Sequence, residues 1–138
     1  MPNVKAIEKE LKALFDDKDI GSCAVLGPMS AQIAGAHPIP LDIWLARCHS
    51  TIYHLGRHGA IAGPNVRDML ATRKTLPVPF GDYRANYLVF EHHTIMLYIL
   101  PKEHVFYASV RHGADRGIPP AALKRVRATV ANLKKILA

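Results

Sequence analysis

The chain has 138 residues, 49% of them hydrophobic and 21% charged. A chain of this length buries about two-thirds of the surface it exposes when unfolded, so it needs no disulfide framework or structural metal, and its composition excludes a disordered polymer. The formal charge of +7 is uneven: residues 57–84 carry +3 and residues 102–138 carry +6, a distribution suited to an acidic protein, a nucleic acid or an anionic membrane, or to a merely solvated basic face.

Val4, Ile7, Leu11 and Leu14 recur at spacings of 3, 4 and 3 with charged residues between them, which predicts an amphipathic helix ending at Asp16–Gly21. Ser22 to Leu26 and Ala31 to Ala36 flank Gly27-Pro28 and read as a hairpin of small-residue strands. From Leu41 to about Leu55, apolar residues fall at helical spacing, with Gly56 and Gly59 as stop signals. Residues 59–84 are rich in Gly and Pro. They read as an irregular insertion or long loop within a single domain spanning residues 1–138, in which Asn65 could cap a short helix carrying Val66, Met69 and Leu70. Asn86 to Val110 reads as three consecutive strands, of which the run Thr94 to Leu100, apolar on both faces, suits a central position. Pro119-Pro120 opens a last helix, with Leu123, Val126, Val130, Leu133 and Leu137 on one face and Lys124, Arg125, Arg127, Lys134 and Lys135 on the other.

The expected architecture is α+β: a five-stranded antiparallel sheet flanked by helices, in the order helix-β-β-helix-β-β-β-helix. Cys23 and Cys48 have apolar neighbours and read as small buried hydrophobes in a reducing, cytoplasmic setting. The charged N-terminus has no signal-peptide core, and the apolar run from Thr94 to Leu100 is too short to span a bilayer, so no transmembrane segment is expected.

Chemistry is harder to find. Arg57-His58-Gly59 and Arg111-His112-Gly113 repeat a triplet known from histidine phosphatases. The first copy falls at the predicted end of a helix, and no further histidine follows the second. His54 and His58 share a helix face and follow Cys48 and His49, but the HExxH pattern of a zinc site is missing. The GKS or GKT ending of a phosphate loop and the GxSxG elbow of a serine hydrolase are missing too. No catalytic residue, cofactor or metal is therefore expected.

The element order, the stretch NYLVFEHHTIMLYILPKEHVFYASV, the final helix ALKRVRATVANLKKIL and the small strands SCAVL and SAQIAGA together resemble the roadblock/dynein light-chain family, whose layout is shared by profilin-like and longin-like folds. The resemblance covers nearly the whole chain apart from residues 59–84. It implies homodimers or heterodimers paired through the middle helix and the adjoining strand edge, acting as scaffolds or regulators of Ras-like small GTPases rather than as enzymes. On that reading Leu41, Trp44, Leu45, Cys48, Ile52 and Tyr53 are the partner-binding residues, since a stripe so wide leaves apolar area for an interface. Two alternatives stand beside this dimeric regulatory or scaffold domain. One is a nucleic-acid-binding domain using Arg67, Arg73, Lys74, Arg84, Lys124, Arg125 and Arg127 as anion-binding groups. The other is a small-ligand or enzymatic domain using the histidines of the RHG triplets.

Overall fold

The apolar periodicities at the two ends of the chain find partner surfaces in the computed structural model, which describes residues 2–28, 32–36, 49–71, 79–114 and 116–138. The elements are α1 (Val4–Phe15), β1 (Ile20–Leu26), β2 (Gln32–Ala36), α2 (His49–Ala71), β3 (Ala85–Val89), β4 (His93–Leu100), β5 (His104–Arg111) and α3 (Pro120–Leu137). The five strands form one antiparallel sheet in the order β2-β1-β5-β4-β3. This is the α+β order expected from the sequence, and the doubly apolar run, β4, lies inside the sheet between β5 and β3.

Helices cover both faces. Ile7, Leu11 and Leu14 of α1 and Ala122, Val126, Val130, Leu133 and Leu137 of α3 pack on Cys23, Val25, Met96, Tyr98, Phe106, Ala108 and Val110. On the opposite face Tyr53 of α2 joins Ala24, Leu26, Leu97, Val105 and Tyr107, with Ile52 and Leu55 alongside. Burying a large aliphatic or aromatic side chain contributes about 1.5–3 kcal/mol, and β5, buried over most of its length, supplies such side chains to both layers. The Asn3 side chain accepts a hydrogen bond from the Ala6 N–H at 3.1 Å and caps α1. Arg125 donates to Asp17 Oδ2 and to the Ala13 carbonyl, both at 3.0 Å, tying α3 to the end of α1.

The middle of the chain departs from expectation. α2 does not stop at Gly56 or Gly59; it continues through Gly63 and Pro64 to Ala71, so the first half of the expected insertion at 59–84 is helical and Asn65 lies inside a helix rather than capping one. The reason is packing. Gly56 and Gly63 sit on the face of α2 that approaches the sheet and the segment before β3. A Cβ at Gly56 would stand 2.7 Å from Val105 Cγ1, and one at Gly63 would overlap the Tyr83 ring. Close approach to these groups offsets the roughly 1 kcal/mol that a helical glycine costs relative to alanine.

The β4–β5 turn is the second local surprise. Lys102 and Glu103 adopt φ of 58° and 63°, the left-handed pair a type I′ turn requires and that Asn-Gly satisfies best. The Tyr53 hydroxyl donates to the Glu103 carbonyl at 2.9 Å and fastens the turn to α2.

Two stability outcomes follow. Replacing Lys102-Glu103 with Asn-Gly should stabilise the fold by about 1–2 kcal/mol in urea denaturation, because it relieves left-handed strain at two side-chain-bearing residues; a loss of stability would show that the turn stores none. Gly56→Ala should destabilise by about 1 kcal/mol net, overpacking outweighing helix propensity. In a Val105→Ala background the same substitution should become stabilising, and a cycle without that reversal would refute the close contact.

Candidate functional site

The partner-binding stripe divides on inspection. Leu41, Trp44, Leu45 and Cys48 lie outside the described residues. Tyr53 is 7% exposed and packed under its own sheet, and Ile52 packs against the same core. Within the chain the Tyr53 ring packs between α2 and β5 and its hydroxyl is committed to Glu103.

The exposed apolar surface lies elsewhere. Val4 aside, every large exposed apolar residue among those described falls on the second half of α2 (Ile61, Val66, Met69, Leu70), just before β3 (Phe80), or on β3 and its turn (Tyr87, Val89, Phe90). α2 and β3 touch, and β3 is an edge strand among the described residues, so these residues border a sheet edge. Met69 is 73% exposed and Val89 72%. The pattern was missed in the sequence because Val66, Met69 and Leu70 stood in a segment read as irregular.

Tyr83 builds the floor of this region. Gly59 and Gly63 leave room for its ring and hydroxyl against α2. The hydroxyl is buried with no hydrogen-bond partner among the described residues, and burial raises its pKa. Beside it, Gly63, Val66, Leu70 and Phe80 line a shallow cavity of about 260 Å³.

The expected anion-binding residues also separate. Arg67 is engaged within the chain: its Nε donates to Asp68 at 3.1 Å, and its Nη1 donates to the Gly81 carbonyl at 3.3 Å and lies 3.9 Å from Asp82. Arg125 is held by Asp17 at 3.0 Å. Both act as fasteners within the chain. Arg73 and Lys74 lie outside the described residues. Lys124 is on the α3 helix, away from the cavity described next. Arg84 and Arg127, far apart in sequence, line a single cavity with Lys134.

The two RHG triplets sit in unlike places. His58 is exposed inside α2, not at a helix end as expected. His112 follows β5; its Nδ1 lies 2.9 Å from the Gly113 carbonyl and its Nε2 2.9 Å from the Thr94 hydroxyl. The carbonyl can only accept, so Nδ1 carries the proton and, in the neutral ring, Nε2 accepts from Thr94. Both nitrogens are thereby occupied in a structural role. Among the described residues no group of three or more His, Cys, Asp or Glu could hold a metal ion, and no helix is long and apolar enough to cross a membrane.

A helix pair on one face of a β2-β1-β5-β4-β3 antiparallel sheet and a single helix on the other decides the fold. The fold is roadblock-like. The gliding protein MglB of Thermus thermophilus superimposes with a TM-score of 0.64 over 97% of this chain and 90% of its own, at 11% identity. MglB of Myxococcus xanthus gives 0.61 over 97% and 89%, at 12% identity. A Roadblock/LC7 domain from Streptomyces avermitilis gives 0.58 over 93% and 91%, at 16% identity. No sequence-family profile matches the chain, and no curated protein sequence does.

Cys23 lies at the heart of this roadblock-like sheet, fully buried, with its thiol 3.6 Å from the Leu11 carbonyl. Desolvation pushes its pKa from 9.0 up to about 12, against a smaller opposing effect of a backbone hydrogen bond with Ala36. Because the folded pKa lies above the unfolded one, the unfolded chain loses its proton first, and stability present below pH 9.0 is lost as pH rises toward about 12. The buried phenols Tyr83 and Tyr98 are also raised above their ordinary 10.0 and extend the decline. The urea midpoint should fall above about pH 9, and Cys23→Ala should flatten the first part of that fall; an unchanged slope would mean that the thiol is not desolvated.

Proposed function

We propose that this chain is a non-enzymatic regulatory or scaffold domain that pairs with a second copy of itself through α2 and the β3 edge and engages a protein partner. A Ras-like small GTPase is the partner that the resemblance to the roadblock family favours. The observation that carries this reading is the concentration of exposed apolar side chains on two touching elements, the second half of α2 and β3. An isolated exposed apolar residue is ordinary, but a concentration of them on two touching elements beside a strand edge is the usual mark of an interface. Two copies pairing along the β3 edge would bring Met69 of α2 and, from the opposite face of the sheet, Val89 toward the partner, contacts that obey two-fold symmetry when the same edge serves both partners. The intrachain engagement of Arg67 and Arg125 leaves fewer free cations for tracking a nucleic-acid backbone and supports the protein-binding reading over that alternative.

Light scattering should give a mass of twice the 15.2 kDa chain, insensitive to salt because the contact is apolar. Met69→Asp combined with Val89→Asp should yield a folded monomer with an unchanged circular dichroism spectrum, since both positions are exposed. A wild-type monomer at its highest soluble concentration would overturn the pairing. A Ras-like GTPase from the same organism should bind in one nucleotide state more tightly than in the other; association indifferent to nucleotide would remove the GTPase from the reading and leave the dimer standing.

A further inference from the structure

Arg84, just before edge strand β3, faces Arg127 and Lys134 of α3 across a cavity of about 230 Å³. Arg127 and Lys134 are two helical turns apart and so share a face. Among the described residues no carboxylate lines the cavity, and none of the three cations forms an ion pair. Three like charges converging without a counter-ion repel one another, and an anion placed among them relieves that repulsion.

The polar floor is built from the core outward. Tyr98, 6% exposed, anchors its ring 6.3 Å from that of Phe106 and brings its hydroxyl to 3.2 Å from the hydroxyl of Tyr87. Burial, then the hydrogen bond with Tyr87, raise the Tyr98 pKa against a smaller opposing effect of a hydrogen bond from Arg127, so the phenol keeps its proton and Arg127 already reaches this floor. Two hydroxyls share one hydrogen bond, which uses one proton and leaves the other for a ligand oxygen. Ala85, Val130 and Ala131 complete the wall with apolar surface.

We propose that this cavity binds a small phosphate monoester, with its phosphoryl group on Arg84, Arg127, Lys134 and the tyrosine hydroxyl and its organic substituent against the alanine–valine wall. Two planar guanidiniums and an ammonium offer more donors than the two oxygens of a carboxylate can accept, and they match the three terminal oxygens and double charge of a phosphoryl group. The volume lies below the roughly 300–1,000 Å³ of pockets for drug-sized ligands, which selects a small ester over a whole nucleotide. The site lies on the α3 side of the sheet and borders the β3 edge through Arg84, Ala85 and Tyr87; Met69 and Val89 are not among its lining residues, so phosphate binding measured on the Met69→Asp, Val89→Asp variant is read apart from the pairing, and the two readings fail separately.

The test is isothermal titration calorimetry of the full chain at low salt with phenyl phosphate, and with benzoate as the carboxylate counterpart. Phenyl phosphate should bind saturably at one site per chain and more tightly than benzoate. Arg127→Gln, an exposed helical substitution, should weaken it at least about tenfold, as loss of a charge-assisted hydrogen bond does. Tyr87→Phe should weaken it less while preserving the ring. Lys124→Gln, the same charge change on α3 outside the cavity, should leave it unchanged. No saturable phenyl phosphate binding, equal affinity for benzoate, or equal losses for Lys124→Gln and Arg127→Gln would each overturn the proposal.

Discussion

Gly56, Gly59 and Gly63 of α2, spaced three and four apart, let the helix backbone reach Val105, Asn86 and Tyr83 with no side chain between them. That approach sets the rest of the α2 layer. It holds Tyr83 against the helix, places the segment before β3 beside it, and turns the helix so that Ile61 and Met69 are left in solvent. Larger residues on that face would lift α2 away, uncover the Val105 and Tyr107 side of the sheet, and separate the two elements that carry the exposed apolar patch.

The same glycines explain why the middle of the chain was hard to read. In sequence, Gly56, Gly59 and Gly63-Pro64 are breaker signals, and a helix starting near Leu41 should stop at them. Only the tertiary contact shows that they form one face, and that α2 tolerates Pro64, which lacks the N–H of an interior helical residue, because packing on the sheet outweighs propensity. α1, α3 and the three-strand meander were legible because their patterns are local: a 3-4 spacing with charges opposite, β-branched and aromatic runs, and turns between them. The meander begins at Ala85, one position before the expected Asn86, for the same reason.

Sites were less legible than elements because they depend on distance. Arg67 and Arg125 looked like members of basic clusters, but each has a carboxylate and a backbone carbonyl within reach. Arg84 and Arg127 looked like members of two different clusters, yet the edge position of β3 and the docking of α3 bring them to one cavity. Charge counts along a sequence report the supply of cations; only the fold decides which of them stay unpaired. Tyr53 likewise reads as an exposed aromatic until the β4–β5 turn it anchors is known.

The strand order has a consequence for how the sheet is closed. β3, β4 and β5 are consecutive and joined by short turns, so their pairing orders little chain. β1 instead pairs β5, with Ile20 opposite Val110 and Leu26 opposite Val105, and most of the polypeptide lies in the loop between them. The entropy of closing that loop falls on the β1–β5 junction together with the packing of α1 on α3. The N-terminal hairpin thus has no template until the C-terminal meander exists, and the seam between β1 and β5 is the place where chain connectivity, rather than side-chain packing, weighs most against the folded sheet.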